Sequence, residues 1–160
     1  MLTRIYIRTI ETLIILGLTI MVALTFTSTG FRFAGHGGIF WAEEVTRYVS
    51  IWVVFLAGGL GVRYGIHLSL DILVEVLPVR PRRIAYIAIF LLMLVFEWVL
   101  LYYGTELAIS NYAQQSASLQ MPMTYANAAI PVGAAIMLFE TIRLIVLEIR
   151  GTRRPETFIG

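Results

Sequence analysis

Four long apolar runs divide the chain. Residues 12–29 are almost wholly apolar or hydroxylic, 41–62 and 84–106 are apolar with isolated charges, and 124–147 closes the series. Each run is about 18 residues or longer, so as a helix rising ~1.5 Å per residue it crosses most or all of a bilayer's hydrocarbon core. Residues 63–78 have a different pattern. On a helix, His67, Asp71 and Glu75 fall at i, i+4 and i+8 and make one narrow polar stripe. Ile66, Leu70, Leu73 and Leu77 lie opposite, and Leu68, Ile72, Val74 and Val76 widen that apolar face. About 15 residues give only ~22 Å, too short to span. A wide apolar face with a thin polar stripe suits the membrane surface, or a groove on another membrane protein.

The connectors follow from the breakers. Residues 30–40 hold Gly30, Gly35, Gly37 and Gly38 and read as a loop. Pro78 and Pro81, with Arg80, Arg82 and Arg83, are expected to break the chain before the third span. Residues 107–123 are polar and end at Met121-Pro122, and Pro131 is expected to kink the last span. The first run is long for a signal peptide and no small-x-small cleavage site follows it. The expected fold is therefore an all-α integral membrane protein forming a single membrane domain over 1–160. It has four transmembrane helices (about 12–29, 41–62, 84–106 and 124–147) and a short amphipathic helix at about 64–77, between the second and third spans.

Composition agrees. The 160 residues are 59% hydrophobic and 14% charged, where a soluble domain carries about 25% charge. With no cysteine, thiol catalysis, disulfides and cysteine-ligated metals are excluded. The net charge of +2 is too small and too dispersed for a nucleic-acid partner, and no long polar region offers a separate active-site domain. The basic residues are all arginines, and ten of the twelve flank the N terminus, the second-to-third connection and the C-terminal end. Only Arg32 and Arg47 lie on the other side, so the positive-inside rule places both termini and the 64–77 segment in the cytoplasm.

Small residues and buried charges suggest how the spans meet. Ser50, Val54, Gly58, Gly61 and Gly65 form one stripe on the second span, and Ala126, Ala129 and Gly133 share a face with Glu140 on the fourth. Such stripes let helices approach closely. Arg143, three residues after Glu140, can neutralise it. Glu97 sits near the middle of the third span, where an ionised carboxylate costs about 2.5–3.5 kcal/mol. It should be neutral, paired or facing a polar cavity. Arg47 and Glu97 lie roughly 9 Å and 13 Å from the outer ends of their spans, so a buried pair between them is expected. Glu43 can pair with Arg47 at i+4. Glu43 and Glu44 favour a helix start electrostatically and can also attract cations or a periplasmic partner. Trp41 beside them reads as an interfacial anchor.

Catalytic patterns are lacking. His67 and Asp71 could begin a metal site, but zinc needs three or four ligands and a solvated stripe explains them. His36 and His67 could ligate haem only from one side of the membrane, and they are expected on opposite sides. Gly58-Gly59-Leu60-Gly61 has no following lysine and is no phosphate loop. Glu97 leaves one autonomous activity open, that of a small four-helix proton-coupled exporter. Against it, that class carries its carboxylate in the first span, and the 64–77 segment would be an unexplained insertion.

A family resemblance rests on Glu43-Glu44, Arg47, Trp52, Gly65-Ile66-His67-Leu68-Ser69-Leu70-Asp71 and Leu77-Pro78, followed by Pro122 and Pro131-Val132-Gly133. In order, spacing and topology the chain resembles the small integral-membrane (Q, or DctQ-type) subunit of tripartite ATP-independent periplasmic (TRAP) transporters, over about residues 8–150. It departs at Thr124-Tyr125, where many members carry a tryptophan. The resemblance implies a multi-pass protein of the bacterial inner membrane with no enzymatic activity and no cofactor of its own. It also implies a large membrane partner subunit that carries the substrate and sodium sites and moves as an elevator, and a periplasmic binding protein that delivers an organic acid. The small subunit would brace the large one, with the amphipathic helix widening its footprint in the lipid.

Overall fold

The computed structural model describes residues 2–35, 37–64 and 78–150. They form five helices: α1 (Leu2–Phe33), α2 (Phe40–Arg63), α3 (Val79–Ser110), α4 (Thr124–Asn127) and α5 (Ala129–Ile149). Four stretches are long and apolar enough to cross a membrane: Arg4–Phe33, Phe40–Arg63, Ile84–Ser110 and Thr124–Ile149, the last running through α4 and α5. In hydrocarbon every backbone N–H and C=O needs a partner within the protein, and a helix supplies it. Four hydroxyls on α1 are satisfied the same way. Thr9, Thr12, Thr19 and Thr27 each donate to the carbonyl four residues earlier, at 2.7–2.9 Å.

Helix ends differ from the expectation in two places. α1 continues through Gly30 to Phe33, and the turn comes only where Gly35 takes a φ of 77°, with Gly37 also at 77°. Pro81 does not break a helix. It sits in the first turn of α3, where N–H groups lack intrahelical partners anyway, so the missing N–H costs nothing. Pro131 does interrupt the last span. It offers no N–H to the Asn127 carbonyl, and the helix breaks at Ala128, between α4 and α5.

The helices pack as an open row in the order α1, α2, α5, α3. α1 runs antiparallel to α2: Gly17 meets Val53 and Val49, and the Tyr64 hydroxyl donates to Glu11 at 3.0 Å. α2 and α5 run parallel, with Phe55 against Gly133, Gly58 against Met137 and Gly59 against Ile136. α5 runs antiparallel to α3, with Gly104 against Ile130 and Pro131. One end of the row carries Arg63, Arg82 and Arg143 and a core of Val62, Tyr86, Phe90 and Leu144. This is the arginine-rich end of the row.

The small-residue stripe of the last span is buried at Ala126 on α4 and at Ala129, Gly133 and Glu140 on α5. The one expected on α2 is rotated. Val54 is 64% exposed and Gly61 has open space where a Cβ would stand. The packed face runs through Phe55, Gly58, Gly59 and Val62, because α2 is gripped from two sides, by α1 and by α5. Gly65, His67, Leu70, Asp71, Leu73 and the rest of the amphipathic segment after Tyr64 lie outside the described residues, as does His36.

Candidate functional site

Two polar constructions stand out, one inside the row and one at the end opposite the arginine-rich one. The first is built on consecutive residues of α5. Glu140 and Thr141 are the largest fully buried side chains among the described residues. About 100° apart on the helix, they reach opposite neighbours. Glu140 turns to α2, where Arg63 donates to its Oε1 at 2.9 Å, and Arg143 from its own helix donates to Oε2 at 3.2 Å. Thr141 turns to α3, where its hydroxyl donates to Glu97 Oε1 at 2.7 Å. The layer thus ties three helices together, with Tyr6 of α1 in edge contact with Phe139 beside it, ring centroids 6.4 Å apart.

The Glu140–Arg143 contact is as expected. The Arg47–Glu97 pair is not formed. Glu97 is 2% exposed and bonded to Thr141, its Oε2 meeting no donor among the described residues, while Arg47 is exposed. α5 lies between α2 and α3, and no depth estimate along single helices shows which helices are neighbours. From the sequence, Arg63 counts only as one of the positive charges flanking the second-to-third connection. Its sole sequence signal was a position at the end of a span whose partners carry buried carboxylates.

The second construction is the connection between α3 and α4. Residues 111–123 carry no charged side chain. They form a narrow turn, paired by the Ser116 N–H to Met121 carbonyl bond and the Met123 N–H to Gln114 carbonyl bond, each 2.9 Å. Gln120 sits at its tip with a φ of 51°, a conformation that non-glycine residues rarely adopt. Glu44 of α2 holds this turn. Its Oε2 accepts from the backbone N–H groups of Ser118 (2.8 Å) and Leu119 (3.1 Å), and its Oε1 accepts from the Tyr48 hydroxyl (2.7 Å). Glu44 therefore clamps another segment and caps nothing in its own helix. The Trp52 indole N–H donates to the Tyr125 carbonyl at 3.0 Å, and the Thr124 hydroxyl donates to the Ala108 carbonyl at 2.8 Å, fixing α4 between α2 and α3.

The paired glutamates thus separate in role. Glu43 points outward and pairs with Arg32 across the α1–α2 turn at 3.4 Å, so the i+4 pair with Arg47 is replaced by a contact to α1. Glu43, Glu44, Arg47, Tyr48 and Ser118 border a cleft of about 250 Å³ at this end. Trp41 is exposed nearby. Among the described residues no three His, Asp or Glu side chains gather in a way that could hold a metal ion.

The family model described as "Tripartite ATP-independent periplasmic transporters, DctQ component" matches residues 21–151. The isethionate TRAP transporter permease protein DctMQ of Oleidesulfovibrio alaskensis is 27% identical over 151 residues, covering 89% of this chain and 24% of that protein. The C4-dicarboxylate TRAP transporter small permease protein DctQ of Rhodobacter capsulatus is 27% identical, over 65% of this chain and 47% of its own length. The protein of the same description from Vibrio cholerae is 23% identical, over 78% of this chain and 64% of its own length. The chain spans less than two thirds of each of these three relatives.

Proposed function

The chain belongs to the DctQ family of TRAP transporter components, a multi-pass protein of the bacterial inner membrane, and we propose that it acts there as the non-catalytic small permease subunit. In this reading a large membrane subunit carries the substrate and sodium sites and moves as an elevator. A periplasmic binding protein delivers the substrate, an organic acid, as the names of the isethionate and C4-dicarboxylate relatives suggest for their own systems. The present chain braces the large subunit, needs no cofactor, and has both termini in the cytoplasm, with the arginine-rich end inward.

One observation carries this reading: the buried polar groups are used to join helices to one another. Glu140 is held by two arginines, Glu97 by Thr141 and Glu44 by a backbone turn. A carboxylate that binds cargo must exchange partners and reach a polar cavity. Glu97 is enclosed between α3 and α5, which argues against the autonomous exporter. Reconstitution tests the reading. Proteoliposomes with this chain alone should take up no organic acid down a sodium gradient. Addition of the large subunit and the binding protein should establish uptake. Transport by this chain alone would overturn it.

A further inference from the structure

The two edges of the row differ in chemistry. α1 has no ionisable side chain between Glu11 and Arg32. Its exposed surface there is made of residues such as Leu13, Ile15, Leu18, Val22 and Phe26, and the hydroxyls of Thr19 and Thr27 are bonded to their own helix. A cleft of about 560 Å³ on this face, lined by residues such as Met21, Val22, Thr25 and Phe26, holds no ionisable side chain, tryptophan or tyrosine, which suits lipid tails. α3 forms the opposite edge, and among the described residues its backbone meets α5 and the short α4. In its outer half it exposes Trp98, Tyr102 and Tyr103, with the two tyrosine rings edge to face at 5.2 Å. A cleft of about 440 Å³ runs along this face, lined by Trp98, Leu101, Tyr102, Thr105, Glu106 and Ile109.

Glu106 is exposed on this face, about 6 Å inside the end of α3 at Ser110. Ionisable groups within transmembrane segments almost always face protein or a water-filled cavity, and they find a partner there. Tryptophan and tyrosine seated around a cleft are also the residue types that dominate the energetics of protein contacts. A helix facing only lipid tails needs no carboxylate. A helix laid in this cleft would cover the aromatic rings and complete the partnership of the carboxylate.

Resting on the subunit reading above, we propose that the Trp98–Ile109 face of α3 is the docking surface for a transmembrane helix of the large permease subunit. That helix presents a basic or amide side chain to Glu106. Charge complementarity selects this occupant over lipid tails, which offer no donor, and over a second copy of this chain, which would set Glu106 against Glu106 at a two-fold contact.

The absence of native cysteine allows a direct test. Tyr102→Cys on α3 and Val22→Cys on α1 would be introduced singly into the chain co-expressed with the large subunit, then treated with a short bifunctional thiol-to-amine or photoactivated cross-linker. Cross-linking to the large subunit from position 102 but not from position 22 is expected. Glu106→Arg should lower recovery of the large subunit by roughly tenfold or more, with Glu106→Gln milder. Because Glu106→Arg could fail to fold, the cysteine variants decide independently. Cross-linking from position 22 alone, or between two copies of this chain through position 102, would overturn the docking face while leaving the subunit reading intact. Failure of the unsubstituted chain to co-purify with the large subunit would overturn both.

Discussion

Arg63 and Glu140 sit on different helices and form an ion pair of 2.9 Å in which the side chains are 4% and 1% exposed. The pair joins the last residue of α2 to the middle of α5, and Arg143 shares the same carboxylate. Its position sets the register of α2 against α5, alongside the glycine contacts one and two turns away.

Glu140→Ala takes the shared carboxylate from both arginines and should destabilise the protein by about 3–5 kcal/mol. Arg63→Ala leaves Arg143 on the same carboxylate and should cost less. The paired change Arg63→Met with Glu140→Leu should cost less than Glu140→Ala, because an apolar pair across α2 and α5 needs no counter-charge. Unfolding in detergent micelles, followed by circular dichroism, measures all three.

Gly133 and Gly61 give opposite expectations for the same substitution. A Cβ on Gly133 would stand 2.5 Å from Phe55 Cβ and 2.9 Å from the Phe55 carbonyl oxygen. Gly133→Ala should therefore force α2 and α5 apart and cost about 1–3 kcal/mol. Gly61 has nothing within 4 Å, so Gly61→Ala should be neutral or stabilise by up to about 1 kcal/mol, the helix-propensity difference. Thermal midpoints of the two variants, measured side by side, separate packing from propensity.

Glu97 is coupled to Thr141 and independent of Arg47. A double-mutant cycle of Glu97→Gln with Thr141→Val should show an interaction energy of about 0.5–3 kcal/mol. The cycle of Glu97→Gln with Arg47→Gln should be additive within about 0.5 kcal/mol. A large coupling in the second cycle would restore the Arg47–Glu97 pair.

Glu44 governs the 116–119 turn from inside α2. Glu44→Ala removes the acceptor of the Ser118 and Leu119 N–H groups. Hydrogen exchange should accelerate at those two amides and leave the amides around Val62 and Leu144 unchanged. Equal acceleration throughout would mean that Glu44 supports the whole row instead of one turn.

Much of the fold was legible along the chain. Apolar runs of span length, separated by glycine and proline, determined four membrane-crossing helices, because backbone hydrogen bonding in hydrocarbon leaves few alternatives. The Ala129–Gly133–Glu140 face and the Glu140–Arg143 contact were legible too, since both lie within one helix whose periodicity is known in advance. The arginine asymmetry and the family motifs, likewise sequence properties, pointed to an inner-membrane transporter component.

Which helix stands beside which was decided by tertiary structure alone. An apolar helix can bury any face against any neighbour at similar energy, so the order α1, α2, α5, α3 leaves no mark in hydrophobic periodicity. That order put α5 between α2 and α3, gave Glu97 to Thr141 in place of Arg47, and gave Glu140 to Arg63. It also turned Val54 and Gly61 outward and drew Glu44 to a turn 74 residues away in sequence. The physical reason is range. Helix formation is settled within a few residues by backbone hydrogen bonds, whereas a buried charge takes whatever partner the packing of distant segments brings within reach.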